Sequence, residues 1–175
     1  ALGFGRAQCF DIVEACMSWV RGLHLVDSLF KSGAYRNALV VNAEFNLTAG
    51  SPLADNLFEL SKEEQILHTF PTYTIGEAAT ATLLLPNEPE NFEFFFSTSP
   101  ELSDLCTIPL KGFENYCHPS EKVGTNGVLR FTSYGIDLHK YGHSEVAEVF
   151  RKMSSKSDVD IVFPHSSSKK EWDEA

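Results

Sequence analysis

Apolar residues recur at steps of three and four through the first thirty positions: Val13, Cys16, Trp19, Val20, Leu23, Val26 and Phe30. That period marks one face of an amphipathic helix. Asp11 stands where a cap belongs, and Gly33 closes the run with Lys31 in its last turn. Gly22 falls inside this helix. Glycine there costs about 1 kcal/mol against alanine, so close packing against a neighbouring element is expected at that position. Before the helix, residues 7–10 are short and apolar and read as a strand. After it, residues 38–43 (ALVVNA) form a continuous apolar run with β-branched content. Such a run suits a strand buried on both faces of a parallel sheet. Strand, helix and strand within about 35 residues make a βαβ unit.

Further along, residues 45–73 read as a long connection containing a short helix at 61–68, opened by Ser61 with Glu64 three residues on. A connection this long is usually functional or part of an interface. Residues 78–85 and 92–98 read as two strands of an antiparallel hairpin turning at Asn87 and Pro89. The polar stretch 99–127 reads as loop, and 129–133 as a further strand. Leu138, Tyr141, Val146, Val149, Phe150 and Met153 give a partly apolar helical face over 136–154. Residues 159–163 read as a last strand, followed by Pro164, His165 and a polar tail. The alternation of strands and helices places the chain in the α/β class, with no internal repeat.

Composition narrows the function classes. The chain has 175 residues, 43% of them hydrophobic and 22% charged, which is globular usage. A domain of this size buries roughly 70% of its unfolded surface, so its core needs no disulfide staples. The longest apolar stretch, 78–85, falls well short of the about 20 residues needed to span a bilayer. No signal peptide is visible, and a cytoplasmic location with reduced thiols is the expectation. A net charge of −10 argues against nucleic acid, which usually meets a basic stripe. The four cysteines, at 9, 16, 106 and 117, and the six histidines show no zinc-site spacing. No metal is expected.

Two segments carry candidate chemistry. Cys16 lies near the start of the first helix, where unpaired N–H groups and the helix dipole favour negative charge and hence a thiolate. A turn entering a helix also exposes its side chain, as nucleophile elbows do. The bland alternative is a small core hydrophobe, which free cysteine often is. His165 directly follows a predicted buried strand, and open α/β sheets gather ligands at the carboxyl ends of their strands. A structural histidine is the competing reading.

At this point the sequence resembles a known family. Residues 10–43 (FDIVEACMSWVRGLHLVDSLFKSGAYRNALVVNA) look like the nucleophile region of the 3-oxoacyl-(acyl-carrier-protein) synthase III family, condensing enzymes of the thiolase superfamily. There a strand ending in F-D leads to A-C-S-G or A-C-A-G, then a long helix ending D-S-L-I-K-S-G, then A-L-V-V-G-A-E. Residues 75–81 (IGEAATA) resemble that family's F-G-D-G-A-G-A turn and strand. Residues 129–140 are similar to its segment before the penultimate helix, and Phe163-Pro164-His165 to its V-P-H. The blocks fall in the family's order and spacing.

The resemblance implies a thiolase-like fold: part of a layered αβαβα architecture, with a mixed sheet and a buried nucleophile helix. Residues 1–128 would complete the first half and residues 129–175 open the second. It implies a decarboxylative Claisen condensation. Cys16 would accept an acyl group from acyl-CoA, and His165 would hydrogen-bond the thioester oxygen of malonyl-acyl carrier protein as an enolate forms. Met17 and Gly76 would contact substrate. Lys170, with Lys169 beside it, would meet the acidic carrier protein. No cofactor is implied beyond these substrates, and a homodimer is expected. The family's asparagine motif and its first βαβ part have no counterpart here, so the chain is expected to be an internal portion, inactive alone.

Three departures bear on chemistry. Glu14 replaces a small residue two positions before Cys16, and helical geometry should turn it away from the thiol. Met17-Ser18-Trp19 replaces the small-Gly-aromatic step, so Met17 would narrow an acyl pocket. Ser166-Ser167-Ser168 replaces Q-A-N after the histidine. These leave open a related condensing enzyme (head-to-head acyl, polyketide or hydroxymethylglutaryl type) and a non-catalytic interaction subunit that kept the fold.

Overall fold

The computed structural model describes residues 3, 5–49, 59–60, 62–86, 92–112, 128–155, 158–165 and 169–174. Cys117, Ser61, Asn87, Pro89, most of the expected 99–127 loop beyond Gly112, and Ser166, Ser167 and Ser168 lie outside them. The described elements mix α and β, and they fall into two compact units.

The first unit comprises residues 1–42 and 79–94. Its main helix, α1 (Ser18–Lys31), follows a 3-10 turn at Ala15–Met17. The apolar face holds at Val20, Leu23, Val26 and Phe30, but Val13 and Cys16 lie before the helix and are exposed, and Asp11 does not cap it. Its N-cap is Met17, with no side-chain hydrogen bond. The C-terminus ends as the sequence indicates. Gly33 takes φ 73°, a left-handed conformation that glycine adopts without a Cβ clash. Its N–H donates to the Phe30 carbonyl, and the Ala34 N–H donates to the Leu29 carbonyl. Those two bonds make a Schellman ending. Lys31 pairs with Asp27 one turn back, at 2.7 Å.

β1 (Ala38–Glu44) and β2 (Ala78–Leu84) form a two-stranded sheet, each strand running past the edge of this unit. α1 lies on β1 through Gly22: a Cβ built there would stand 3.2 Å from Val40 Cγ1 and 3.8 Å from Ile12 Cδ1. The close approach expected at this glycine is therefore present. Trp19 Nε1 donates to Thr82 Oγ1 of β2 at 3.1 Å. Val26 is buried on the helix face.

Several expected strands are absent. Residues 7–10 take no strand pairing. β1 is not buried on both faces, because Leu39 and Val41 are exposed while Ala38, Val40 and Asn42 alternate with them. Only the face under α1 is covered, so the strand is half-buried. Residues 92–98 form no hairpin with β2. Instead Phe94 stacks on His24 of α1, with centroids 5.0 Å apart, and on Phe92 at 5.8 Å. Contacts between rings and the helix take the place of a backbone ladder.

The second unit comprises residues 43–78 and 95–175. A 3-10 turn at Glu63–Gln65 leads into the single-turn α2 (Ile66–Thr69) and a second 3-10 stretch at Phe70–Thr74. The capping residue is Gln65, whose Oε1 accepts from the Lys62 N–H at 3.2 Å, rather than Glu64. β3 (Cys106–Thr107) pairs antiparallel with β4 (Thr132–Ser133). The Leu129 N–H donates to the Pro109 carbonyl and the Tyr134 N–H to the Leu105 carbonyl, flanking this short ladder. The buried positions here are largely hydroxyl-bearing: Thr69, Thr72, Thr132 and Ser133. Buried hydroxyls need partners. Thr69 donates to the Gln65 carbonyl at 2.8 Å, Thr72 to the Phe131 carbonyl at 3.1 Å, and Thr107 and Thr132 share a hydrogen bond.

α3 (Gly135–Ser154) matches the predicted long helix. It carries Asp137 in its first turn and Arg151 and Lys152 in its last, complementing the helix dipole. Ser97 Oγ donates to Glu145 on its surface. The expected last strand at 159–163 is absent. Val159, Ile161, Val162 and Phe163 are all exposed, Phe163 at 87%. A strand needs a neighbouring backbone to pair with, and none of the described residues supplies one. The tail instead contains α4 (Lys169–Glu174). Among the described residues no helix is long and apolar enough to cross a membrane.

Candidate active site

Cys16 occupies the middle of the Ala15–Met17 turn, one residue before the α1 N-cap. It is exposed, so it is not the small core residue of the bland reading. Nor does it sit inside a buried helix; the helix starts two residues later. Ala15 has φ 44°. A left-handed conformation in an L-residue with a Cβ costs about 1–2 kcal/mol, so the residue before Cys16 is held under strain.

Local hydrogen bonds hold this turn. The Glu14 N–H donates to Ser18 Oγ at 2.9 Å, and Ser18 Oγ donates to the Ala15 carbonyl at 2.8 Å. The Met17 N–H donates to the Glu14 carbonyl at 3.0 Å. Helical side chains lean toward the N-terminus, and Arg21 accordingly reaches back two turns to Glu14. Its Nε donates to Oε2 at 2.6 Å and its Nη2 to Oε1 at 2.7 Å. The hydrogen bonds from Arg21 hold the Glu14 carboxyl below its ordinary range, against a small opposing effect of desolvation. The same pairing raises the Arg21 guanidinium.

Two electrostatic consequences follow for the turn. The acid two residues before Cys16 is matched by a fixed cation. The first turn of α1 carries no acidic side chain, so nothing there offsets the positive end of the helix dipole.

The other predicted residues are placed as follows. Met17 is exposed and immediately follows Cys16. Gly76 precedes β2; a Cβ there would meet nothing within 4 Å, and its φ is not in the left-handed region. Nothing among the described residues thus requires glycine at that position. Its neighbour Glu77 is engaged: Oε1 accepts from the Leu47 N–H at 2.6 Å, the Thr48 N–H at 2.7 Å and Thr48 Oγ1 at 3.1 Å. His165 is exposed, two residues beyond the 159–163 run that forms no strand. Lys170 is exposed on α4, while Lys169 pairs with Asp173 within that helix. Cys16 and Met17 belong to the first unit, and Gly76, His165 and Lys170 to the second. Among the described residues no three or more His, Cys, Asp or Glu side chains gather as a metal site would need.

Sequence reasoning missed Ser18 and Arg21. Glu14 lies outside α1, so no helical spacing in the sequence signals its pairing with Arg21. The Glu77 clamp had no local signal, because its partners lie about thirty residues away in the chain.

Comparison with known proteins agrees with the resemblance of the nucleophile region. A family model described as 3-Oxoacyl-[acyl-carrier-protein (ACP)] synthase III matches residues 10–49. Among curated proteins, a beta-ketoacyl-[acyl-carrier-protein] synthase III from Fusobacterium nucleatum is 25% identical over 169 residues, covering 94% of this chain and 47% of the relative. Its counterpart from Clostridium beijerinckii is 28% identical over 173 residues, with the same coverage. One from Clostridium novyi is 43% identical over 44 residues, covering 25% of this chain and 14% of the relative. The chain spans about half the length of the curated relatives it matches along its whole course. No solved structure matches it significantly. With residues 10–49 matched by the family model and relatives aligned along nearly all of its length, this chain is similar to the 3-oxoacyl-[acyl-carrier-protein] synthase III family.

Proposed function

We propose that this chain is part of a condensing acyltransferase that starts fatty acid chains. Its fold would be a portion of the layered thiolase-like architecture, divided between 1–128 and 129–175. The observation that carries the reading is an exposed Cys16 on a left-handed elbow, inside the segment that matches the synthase III family. The thiolate of Cys16 attacks the carbonyl carbon of an acyl-CoA. A tetrahedral oxyanion forms and collapses, the bond to the sulfur of coenzyme A breaks, coenzyme A leaves as a thiolate that takes a proton from solvent, and a thioester remains on Cys16. Malonyl-acyl carrier protein then loses carbon dioxide. The resulting enolate carbon attacks the Cys16 thioester and the thiolate departs.

Enolate charge calls for a fixed donor, and His165 takes that role. Met17 and Gly76 contact the acyl-bearing substrate, and Lys170 meets the acidic carrier protein. The enzyme needs no cofactor beyond its substrates, acts as a homodimer and works in the cytoplasm.

Intact mass measurement with peptide mapping tests the reading. After incubation of the complete protein with a series of acyl-CoA thioesters, an adduct of acyl mass is expected on Cys16, absent in Cys16→Ser and absent from Cys9 and Cys106. No adduct on Cys16 with any chain length would overturn it.

A further inference from the structure

We infer that Glu14, Ser18 and Arg21 form a latch that positions Cys16 for attack. The inference deepens the proposed acyl transfer and rests on it for its catalytic meaning.

Cys16 is fixed from both sides. On its C-terminal side Met17 caps α1. On its N-terminal side residues 7–10 belong to no strand; Gln8 accepts a hydrogen bond from Tyr35 and Ile12 lies beside Gly22, but both are four residues or more before the thiol. Glu14 supplies the anchor nearest to it. Its backbone is tied to Ser18, whose hydroxyl also holds the Ala15 carbonyl. Its side chain is tied to Arg21 by two parallel hydrogen bonds. A bidentate arginine–carboxylate pair fixes direction as well as distance. Both anchors lie on α1, so the left-handed Ala15 is held between points on one rigid helix. Without them, the ordinary preference of an L-residue is to leave φ 44°, and the sulfur would move with the turn.

The latch also explains why an acid is tolerated two residues before a nucleophilic cysteine. Arg21 matches its charge in place. Glutamate and arginine here work as a pair, acting through the turn that carries Cys16.

The test uses the full chain and three variants: Arg21→Ala, Ser18→Ala and the charge swap Glu14→Arg with Arg21→Glu. Two rates are measured on each. The first is single-turnover acylation of Cys16 by acyl-CoA. The second is alkylation of Cys16 by iodoacetamide, with exposed Cys9 as internal reference. Arg21→Ala and Ser18→Ala are expected to slow acylation roughly tenfold, since a misplaced nucleophile forfeits its orientation. They should also change the Cys16-to-Cys9 alkylation ratio. The charge swap should recover most of both, which a merely structural loss would not do. Unchanged rates in Arg21→Ala, or a swap as slow as the single variant, overturn the latch. If wild type takes no acyl group, the proposed transfer fails, and the alkylation ratio still decides the latch by itself.

Discussion

At the scale of single residues, Glu14 is the most informative position. The sequence marks it as a departure, and its carboxylate is engaged by Arg21. That partner was not legible, because nothing in a linear pattern says which of several exposed cations a carboxylate will choose. The pairing has a pH signature. Glu14 is held below its ordinary value of 4.5 by hydrogen bonds from Arg21. A depressed carboxyl stabilises the folded form above its unfolded pKa, and that contribution disappears as pH falls through the folded value. The latch is therefore closed at neutral pH and opens only below about pH 4.5. Carboxyl-carbon NMR should show Glu14 titrating below that value in wild type and moving back up in Arg21→Ala. An unmoved Glu14 midpoint would mean that the contact does not persist in solution. Glu148 shifts in the same direction through Lys152 one turn on, and as an exposed pair it adds little stability.

At the scale of elements, helices were more legible than strands. α1 and α3 follow from a period written within each segment, and the Gly33 ending follows from one residue's freedom. Strand identity depends on a partner. The apolar runs 38–43 and 78–85 found each other as β1 and β2, while 7–10, 92–98 and 159–163, also read as strands, have no ladder. What the sequence did carry between elements is Gly22. It sits mid-helix at a cost because Val40 of β1 stands where a side chain would go. Val40 is β-branched and stiff at χ1, so it cannot swing aside. Gly22→Val is expected to destabilise the first unit by about 2 kcal/mol through overpacking, seen as a lower chemical-denaturation midpoint. Adding Val40→Ala should make the double variant less unstable than the sum of the two singles, a coupling of about 1 kcal/mol. Strict additivity would place the conflict elsewhere.

At the scale of the whole chain, the candidate site is legible unevenly, and the reason is physical. The half built on Cys16 is local: a turn, a helix N-terminus and side chains within seven residues all come from one stretch of sequence. The half built on His165 was inferred from the carboxyl end of a buried strand, and that strand is not formed. Ile161 is 68% exposed and Val162 47%, although the run is as apolar as β1. A buried strand draws its stability from hydrogen bonds to neighbours and from apolar cover on its faces. The described residues give 159–163 neither. The local stability of a segment with few buried contacts and solvent-exposed amides approaches zero. Hydrogen exchange on this 175-residue chain should thus find the amides of 159–163 unprotected, exchanging near unfolded-chain rates. The amides in the middle of α1, bonded within the helix and packed through Gly22 and Val26, should exchange at least tenfold more slowly in the same sample. Equal protection in both places would mean that 159–163 pairs in solution after all. His165 would then stand at a strand end, where a donor for an enolate can be held still.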